Sequence, residues 1–373
     1  MNHVLLVSDQ PMPNFLPVLN RELKPDKVTL VVSSKMRSRA EWLKTEIAKH
    51  QVAILPDIDI GDNTSDIRAI EDALMGWVSA NEPLFAESVL NVTGGTKPMA
   101  IAAQEVFRMG DRPVFYVDIA TDLVMWVNGD NGNVALSNQP NLTQFLGLHG
   151  ITVTSGDFKS VVENEKWRHF YSEIASDPRK WALPVRALNR LASLAEEDGT
   201  RDFAVSASDL ALPGWMEMDT MLHDDELVEY VKGGRREAFC SSAARRFCNG
   251  VWLEHYVFET LKSFEFDKRH ALMNVEIRDS KGNRNELDAI ILHGNVCYVF
   301  EDKTKNMRRG NIADNAVYKL AQLSSTMGLR TRGVLVSALD VRPVDKDRAR
   351  AYGVEVFDWL PDLRGNLQRL FDF

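Results

Sequence analysis

Apolar residues along this chain follow two rhythms. Some form short unbroken runs of aliphatic and β-branched residues, and others recur every three or four positions. In the first 150 residues the runs His3–Ser8, Val28–Ser33, Val52–Leu55 and Ser88–Thr93 read as strands covered on both faces, because they do not alternate with polar residues. Between them Arg37–His50, Ser65–Ala80 and Pro98–Met109 carry helical spacing, with Ser65 as the expected cap of the second. Strand–helix alternation of this kind predicts a doubly wound, Rossmann-like sheet. Val114–Ile119, Leu123–Val127 and Val134–Leu136, separated by short turns such as Asn128–Asn133, predict antiparallel strands added at its edge.

The pattern then changes. Phe158–Ser176 and Val185–Ala195 are helical in spacing, Ala204–Leu210 opens a short helix, and Val228–Val231 is a short strand. Residues 151–234 therefore read as a helical, winged-helix-like connector, ending at Gly233-Gly234. The run Met218–Glu226, with His223 beside Asp224, Asp225 and Glu226, reads as a solvated acidic loop, with a metal cluster as the less favoured alternative. From residue 235 the order is a long helical region (Arg235–Phe264, with a break expected at Asn249-Gly250), then a strand at Leu272–Ile277. Two further strands follow, then a helix at Ala313–Met327, a strand at Gly333–Ser337, a helix at Lys346–Tyr352 and a strand at Val354–Phe357. This is a second α/β domain, 235–373.

Composition narrows the picture. A chain of 373 residues with 45% hydrophobic and 26% charged residues is that of a folded protein of two or three domains. A net charge of −9 confines any nucleic-acid contact to a local basic patch. Cys240, Cys248 and Cys297, with no CxxC pair, give neither a disulfide framework nor a zinc motif. With no signal peptide and no transmembrane run, the expectation is a cytoplasmic protein that does not contact membranes.

The chemistry concentrates in Asn285–Lys305, two strands around a His293-Gly294-Asn295 turn. Side chains two apart on a strand share a face, so Glu301 and Lys303 point together and Asp302 points away. Asp288, then Glu301 and Lys303 at the end of the neighbouring strand, is what a metal-dependent phosphodiesterase needs. Carboxylates hold a hard divalent cation, and a lysine positions the attacking water. By itself this is equally a charged surface hairpin. Glu254 tips the balance, because it lies on the apolar stripe formed with Val251, Val257, Phe258 and Leu261, where an unpaired carboxylate is costly. Beyond the second strand, Lys305, Arg308 and Arg309 form a basic exit suited to a phosphate backbone.

The order Glu254, Asp288, Glu301-x-Lys303 resembles the PD-(D/E)xK, restriction-endonuclease-like superfamily, although Leu287 stands where its proline is usual. That resemblance implies Mn²⁺ or Mg²⁺ held by Asp288, Glu301 and the carbonyl of Asp302. It also implies a water oriented by Lys303 and an auxiliary polar residue at Gln322. In the N-terminal domain two loops follow strands. They are Ser8-Asp-Gln-Pro-Met-Pro-Asn14 and Asn91-Val-Thr-Gly-Gly-Thr-Lys-Pro-Met-Ala100, the second entering a helix whose N-terminus favours anions. It is neither a Walker A nor a GxGxxG loop. These loops resemble those of CARF domains. The resemblance implies a homodimer with a cyclic oligoadenylate held between Ser8, Asp9, Gln10 and Asn14 on one lip and Thr93, Gly94, Gly95, Thr96 and Lys97 on the other.

A CARF domain joined to such a nuclease resembles the ancillary nucleases of type III CRISPR systems. That implies cyclic tetra-adenylate as activator and single-stranded RNA or DNA, or nicked duplex, as substrate. Two other readings stay open. One is a ligand-sensing DNA-binding regulator, and the other is a repair or restriction endonuclease without a ligand gate.

Overall fold

The structure, a computed structural model, describes residues 1–128, 132–158, 165–231, 236–305, 307 and 312–371. The Gly233-Gly234 junction, Arg308, Arg309 and the centre of the Asn128–Asn133 turn lie outside them. The chain forms two compact units. The first holds Met1–Val153, Arg278–Arg284 and Met327–Leu329, and the second holds Thr154–Ile277, Asn285–Thr326 and Arg330–Phe373.

In the first unit the order is β1 (Asn2–Leu6), α1 (Met12–Leu19), β2 (Lys27–Ser33), α2 (Arg37–Ala48), β3 (Ala53–Ile54), β4 (Ile58–Gly61) and α3 (Ile67–Ala80). It continues with α4 (Glu82–Ala86), β5 (Ser88–Asn91), α5 (Lys97–Met109), β6 (Val114–Asp118), β7 (Leu123–Trp126) and β8 (Val134–Ala135). The sheet runs β3-β2-β1-β5-β6-β7-β8, with β4 also on β2. β1 lies parallel between β2 and β5, every one of its residues is buried, and β6–β7 and β7–β8 are antiparallel. This is the Rossmann-like sheet with antiparallel edge strands that the pattern predicts. The cap of α3 is Asp66, whose Oδ1 accepts from the Ala69 N–H at 3.2 Å, rather than Ser65. The loop after β1 is shorter than expected, because α1 already begins at Met12.

Next come α6 (Leu142–Gly147) and β9 (Thr152–Asp157). The second unit continues with α7 (Glu165–Ser176), α8 (Pro178–Glu197), β10 (Asp202–Phe203), α9 (Ala207–Leu210), α10 (Trp215–Asp224), β11 (Val228–Tyr230) and β12 (Glu237–Phe239). The three short strands pair antiparallel in the order β10-β12-β11, beside α8 and α10. Two expectations need correction here. Met218–Asp224 is the body of helix α10, because Trp215, Met218, Met221 and Leu222 bury one face. The expected helix from Arg235 begins instead with strand β12, because Ala238 and Phe239 fill the small sheet's core.

The remaining elements are α11 (Ser242–Arg246), α12 (Trp252–Lys262), β13 (Ala271–Arg278), β14 (Arg284–His293), β15 (Val296–Lys303) and α13 (Ile312–Thr326). Last come β16 (Thr331–Ser337), α14 (Pro343–Ala351), β17 (Val354–Phe357) and α15 (Leu363–Leu370). Between α11 and α12 the chain makes a π-turn, Phe247–Val251, where Gly250 has φ 123°. The break expected at Asn249-Gly250 falls there. The sheet order is β17-β16-β15-β14-β13-β9. Trp252, Phe258 and Phe300, all fully buried, sit in its core. Among the described residues no helix is long and apolar enough to cross a membrane.

Candidate functional site

β14 and β15 turn through Gly294-Asn295, with φ of 54° and 58°, the type I′ conformation that matches hairpin twist. Ala289 pairs with Phe300 and Leu292 with Cys297. The same register sets Asp288 across from Glu301, on one face with Lys303. The backbone N–H of Asp302 donates to Asp288 Oδ2 at 2.6 Å, so the first acid is clamped to the strand carrying the second. Lys303 Nζ lies 2.5 Å from Glu301 Oε1 and donates to the Asp302 carbonyl at 3.3 Å.

Glu254, from α12, lines the same cleft, a space of ≈ 450 Å³ bordered also by Gly250, Glu301, Lys303, Lys305 and Lys319. Burial and then the Asp288 charge push Glu254 up to about 8. Burial and then Glu301 push Asp288 up to about 6. Asp302, buried with neither carboxylate oxygen hydrogen-bonded, is driven well above the carboxylate range by burial and then by Asp288 and Glu254. Burial opposes the charge of Lys303, but Asp288 and Glu301 outweigh it and hold the ammonium firmly protonated. Four acids crowded around two lysines favour cations. The donors Asp288, Glu301 and the Asp302 carbonyl are all hard oxygens, the set that fits Mg²⁺ or Mn²⁺.

Lys319 of α13 was not anticipated. Its Nζ lies 2.6 Å from Glu301 Oε2. Ala316, Lys319, Leu320 and Leu323 share one helical stripe, so the argument that singles out Glu254 also picks out this lysine. Gln322, the expected auxiliary residue, is exposed and does not border the cleft. Lys305 is exposed at the rim, while Arg308 and Arg309 lie outside the described residues.

The π-turn braces the cleft wall, as such bulges do at functional sites. A Cβ on Gly250 would stand 2.5 Å from Thr304 Oγ1. Thr304, directly after Lys303, accepts from Asn189 Nδ2 of α8 at 3.1 Å, and Ser193 of the same helix donates to Asn249 Oδ1 at 3.0 Å.

In the first unit the two expected loops sit side by side, at the carboxyl ends of adjacent strands β1 and β5. The sheet order reverses there, which is where open α/β sheets bind ligands. Ser8 Oγ and the Gln10 N–H are 3.3 Å apart, and exposed Asp9 pairs with Arg39 Nε at 3.3 Å. A Cβ on Gly94 would stand 1.9 Å from the Leu6 carbonyl, so only glycine lets the loops lie this close. Gly95 has φ 72°. Thr96 caps α5, donating to the Thr64 carbonyl at 2.7 Å and accepting from Met99 N–H at 3.4 Å, with Lys97 exposed beside it.

Two expected lip residues have other duties. Asn14 is buried on α1, its Nδ2 donating to the Leu6 carbonyl at 2.8 Å and its Oδ1 accepting from Asn91 at 3.0 Å. It braces the two loops against each other. The Thr93 hydroxyl donates to Asn91 Oδ1 and accepts from the Val117 N–H, both at 2.7 Å. Asn91 is thus the hub of this site, bonded to Pro13, Asn14 and Thr93.

A Rossmann-like domain with a loop-built ligand crevice, in one chain with an α/β domain carrying an acid–acid–lysine cleft, defines the class: a ligand-binding domain joined to an endonuclease domain. Residues 2–144 match the family model of the Card1 CARF domain, and residues 241–372 match that of the Card1-like endonuclease domain. The chain therefore joins a Card1-type CARF domain to a Card1-like endonuclease domain. Three solved structures share its fold. Protein VC1899 from Vibrio cholerae has a TM-score of 0.86 at 24% identity, covering 100% of this chain and 98% of that one. Can2 from Sulfobacillus thermosulfidooxidans, solved with cyclic tetra-adenylate, has 0.82 at 22%, covering 100% and 97%. A type III CRISPR defence DNA nuclease activated by cyclic oligoadenylate has 0.57 at 17%, covering 99% of this chain but 52% of its own. None of the curated proteins matches the chain.

Proposed function

We propose that this chain is a divalent-metal-dependent endonuclease switched on by a cyclic oligoadenylate, cyclic tetra-adenylate in the first instance, in type III CRISPR antiviral defence. The observation that carries it is the cleft lined by Glu254, Glu301, Lys303 and Lys305, with Asp288 held against it by the Asp302 N–H. Asp288, Glu301 and the Asp302 carbonyl would hold Mn²⁺ or Mg²⁺, which would polarise the scissile phosphate and supply an activated water. Lys303, kept charged by its carboxylate neighbours, orients that water and offsets charge growing on phosphorus. Glu254 bounds the cleft and takes part through Asp288.

In the sensor domain, Ser8, Asp9 and Gln10 form one lip and Gly94, Gly95, Thr96 and Lys97 the other. The α5 N-terminus and Lys97 face the ligand's phosphates, while Thr93 and Asn14 fix the loops. A cyclic tetranucleotide can itself be two-fold symmetric, so a homodimer would offer each half of the ring the same pair of loops. The substrate is single-stranded RNA or DNA, or duplex that the enzyme nicks. An ungated nuclease of this kind would damage its host, which favours a ligand that stabilises the active arrangement selectively.

The test is cleavage of labelled RNA, single-stranded DNA and supercoiled plasmid with Mn²⁺, with and without cyclic tetra-adenylate. Cleavage of at least one substrate should need both metal and ligand, and Glu301→Ala and Lys303→Ala should abolish it with ligand binding intact. Cleavage indifferent to the ligand would refute the gate.

A further inference from the structure

The segment from α10 to β12 holds a cluster that the cleft chemistry leaves unused. Asp219 and His223, four apart on α10, project toward Glu237 on β12. One ligand-type atom from each lies within 4.8 Å of the other two. Asp219 Oδ1, His223 Nε2 and Glu237 Oε2 are all buried atoms without a hydrogen-bond partner. Leaving a polar group buried and unsatisfied costs on the order of 1–3 kcal/mol. Three clustered residues, each with such an atom, therefore call for a shared partner.

The surroundings are rigid. Glu237 pairs with Phe203 on one side and Tyr230 on the other. The Tyr230 ring stacks on His223 with centroids 4.0 Å apart at 20°, fixing the imidazole plane.

We propose that Asp219, His223 and Glu237 form a divalent-metal site, separate from the nuclease cleft, that ties α10 to the small sheet. One imidazole nitrogen and two carboxylate oxygens, with water as a fourth ligand, would suit a Zn²⁺-class ion, and affinity at a nitrogen-containing site rises from Mn²⁺ toward Zn²⁺. A tetrahedral site with bonds of about 2.1 Å has ligands about 3.4 Å apart, so small side-chain rotations complete it. The ion would cross-link helix and strand, stabilising the segment from which α11 and α12 continue toward the cleft.

The test uses the full-length chain with the nuclease site disabled by Asp288→Asn and Glu301→Gln, so that any bound ion is counted elsewhere. Co²⁺ titration should give visible d–d bands at one equivalent per chain, displaced by Zn²⁺, and Zn²⁺ should raise Tm. His223→Gln and Glu237→Gln, each checked for native circular dichroism, should lose the bands and the Tm shift. Asp219→Asn, a milder change, should weaken binding at least tenfold. Absence of bands in the disabled background, or bands that survive His223→Gln, would overturn the site. So would a Tm that ignores added Zn²⁺.

Discussion

Lys319 and Lys303 grip the two oxygens of one carboxylate, Glu301, at 2.6 and 2.5 Å. The two lysines come from consecutive elements, β15 and α13, so Glu301 is positioned from both sides before any cation or phosphate arrives. A charge-assisted hydrogen bond at such a site contributes about 1.5–3 kcal/mol, which corresponds to roughly 10–100-fold in rate. Lys319→Met should therefore lower single-turnover cleavage by roughly that factor at saturating Mn²⁺ and ligand, and Lys319→Arg should restore part of it. A Lys319→Met enzyme within twofold of the parent would reduce the lysine to a surface counter-ion.

The raised acids predict how stability depends on pH when no metal is added. Glu254 moves from 4.5 to about 8 and Asp288 from 3.8 to about 6, so the native state holds protons that the unfolded chain has already lost. Stability therefore falls as pH rises, from about 4 to about 6 for Asp288 and on to about 8 for Glu254. A divalent cation favours the deprotonated acids and should reverse the trend. With EDTA present, Tm should drop between about pH 5 and pH 8, and Glu254→Gln should flatten the upper half of the curve. A parent Tm that stays level across this range would contradict the assignment.

Gly250 is the weakest point of the cleft wall to alter. Its φ of 123° is one that side chains rarely adopt, and a Cβ would press on Thr304 at 2.5 Å. Gly250→Ala should cost about 1–3 kcal/mol in backbone strain and pull Thr304, and with it Lys303, out of line. Cleavage should fall more than tenfold while the chain still binds its nucleotide. Thr304→Ser, which keeps the hydroxyl, should be mild. Equal losses in both variants would argue against backbone strain as the cause.

What was legible in the sequence is what short-range periodicity fixes. Period two along β15 placed Glu301 and Lys303 together and Asp302 apart, and helical spacing put Glu254 on its buried stripe. Lys319 obeys the same stripe, but lysines so commonly snorkel to solvent that the pattern alone drew no attention to it. Features that depend on distant partners were not legible. Glu237 reads as helix until Phe203 and Tyr230 pair with it, and β9 (Thr152–Asp157) is a polar, largely exposed strand at the sheet edge with no apolar signal. Asn14 sits in a run that looks like loop, and its role emerges only from Leu6 and Asn91, which meet it across the sheet.

The last prediction concerns how the nucleotide signal leaves its loops. Met327–Leu329 belongs to the first unit, and there the Leu329 N–H donates to Gln10 Oε1 at 3.2 Å. In sequence these three residues directly follow α13, the helix that carries Lys319. Gln10 thus joins the lip expected to hold the ligand to the chain segment that leads back to the Glu301 clamp. Two substitutions separate its roles. Gln10→Glu keeps an acceptor for the Leu329 N–H but sets a negative charge beside an anionic ligand, so half-maximal activation should need at least tenfold more nucleotide while maximal cleavage is retained. Gln10→Met loses the acceptor, so maximal cleavage itself should fall, even at saturating nucleotide. Activation curves read both quantities, and a Gln10→Met enzyme that reaches the parent maximum would show that the signal takes another path.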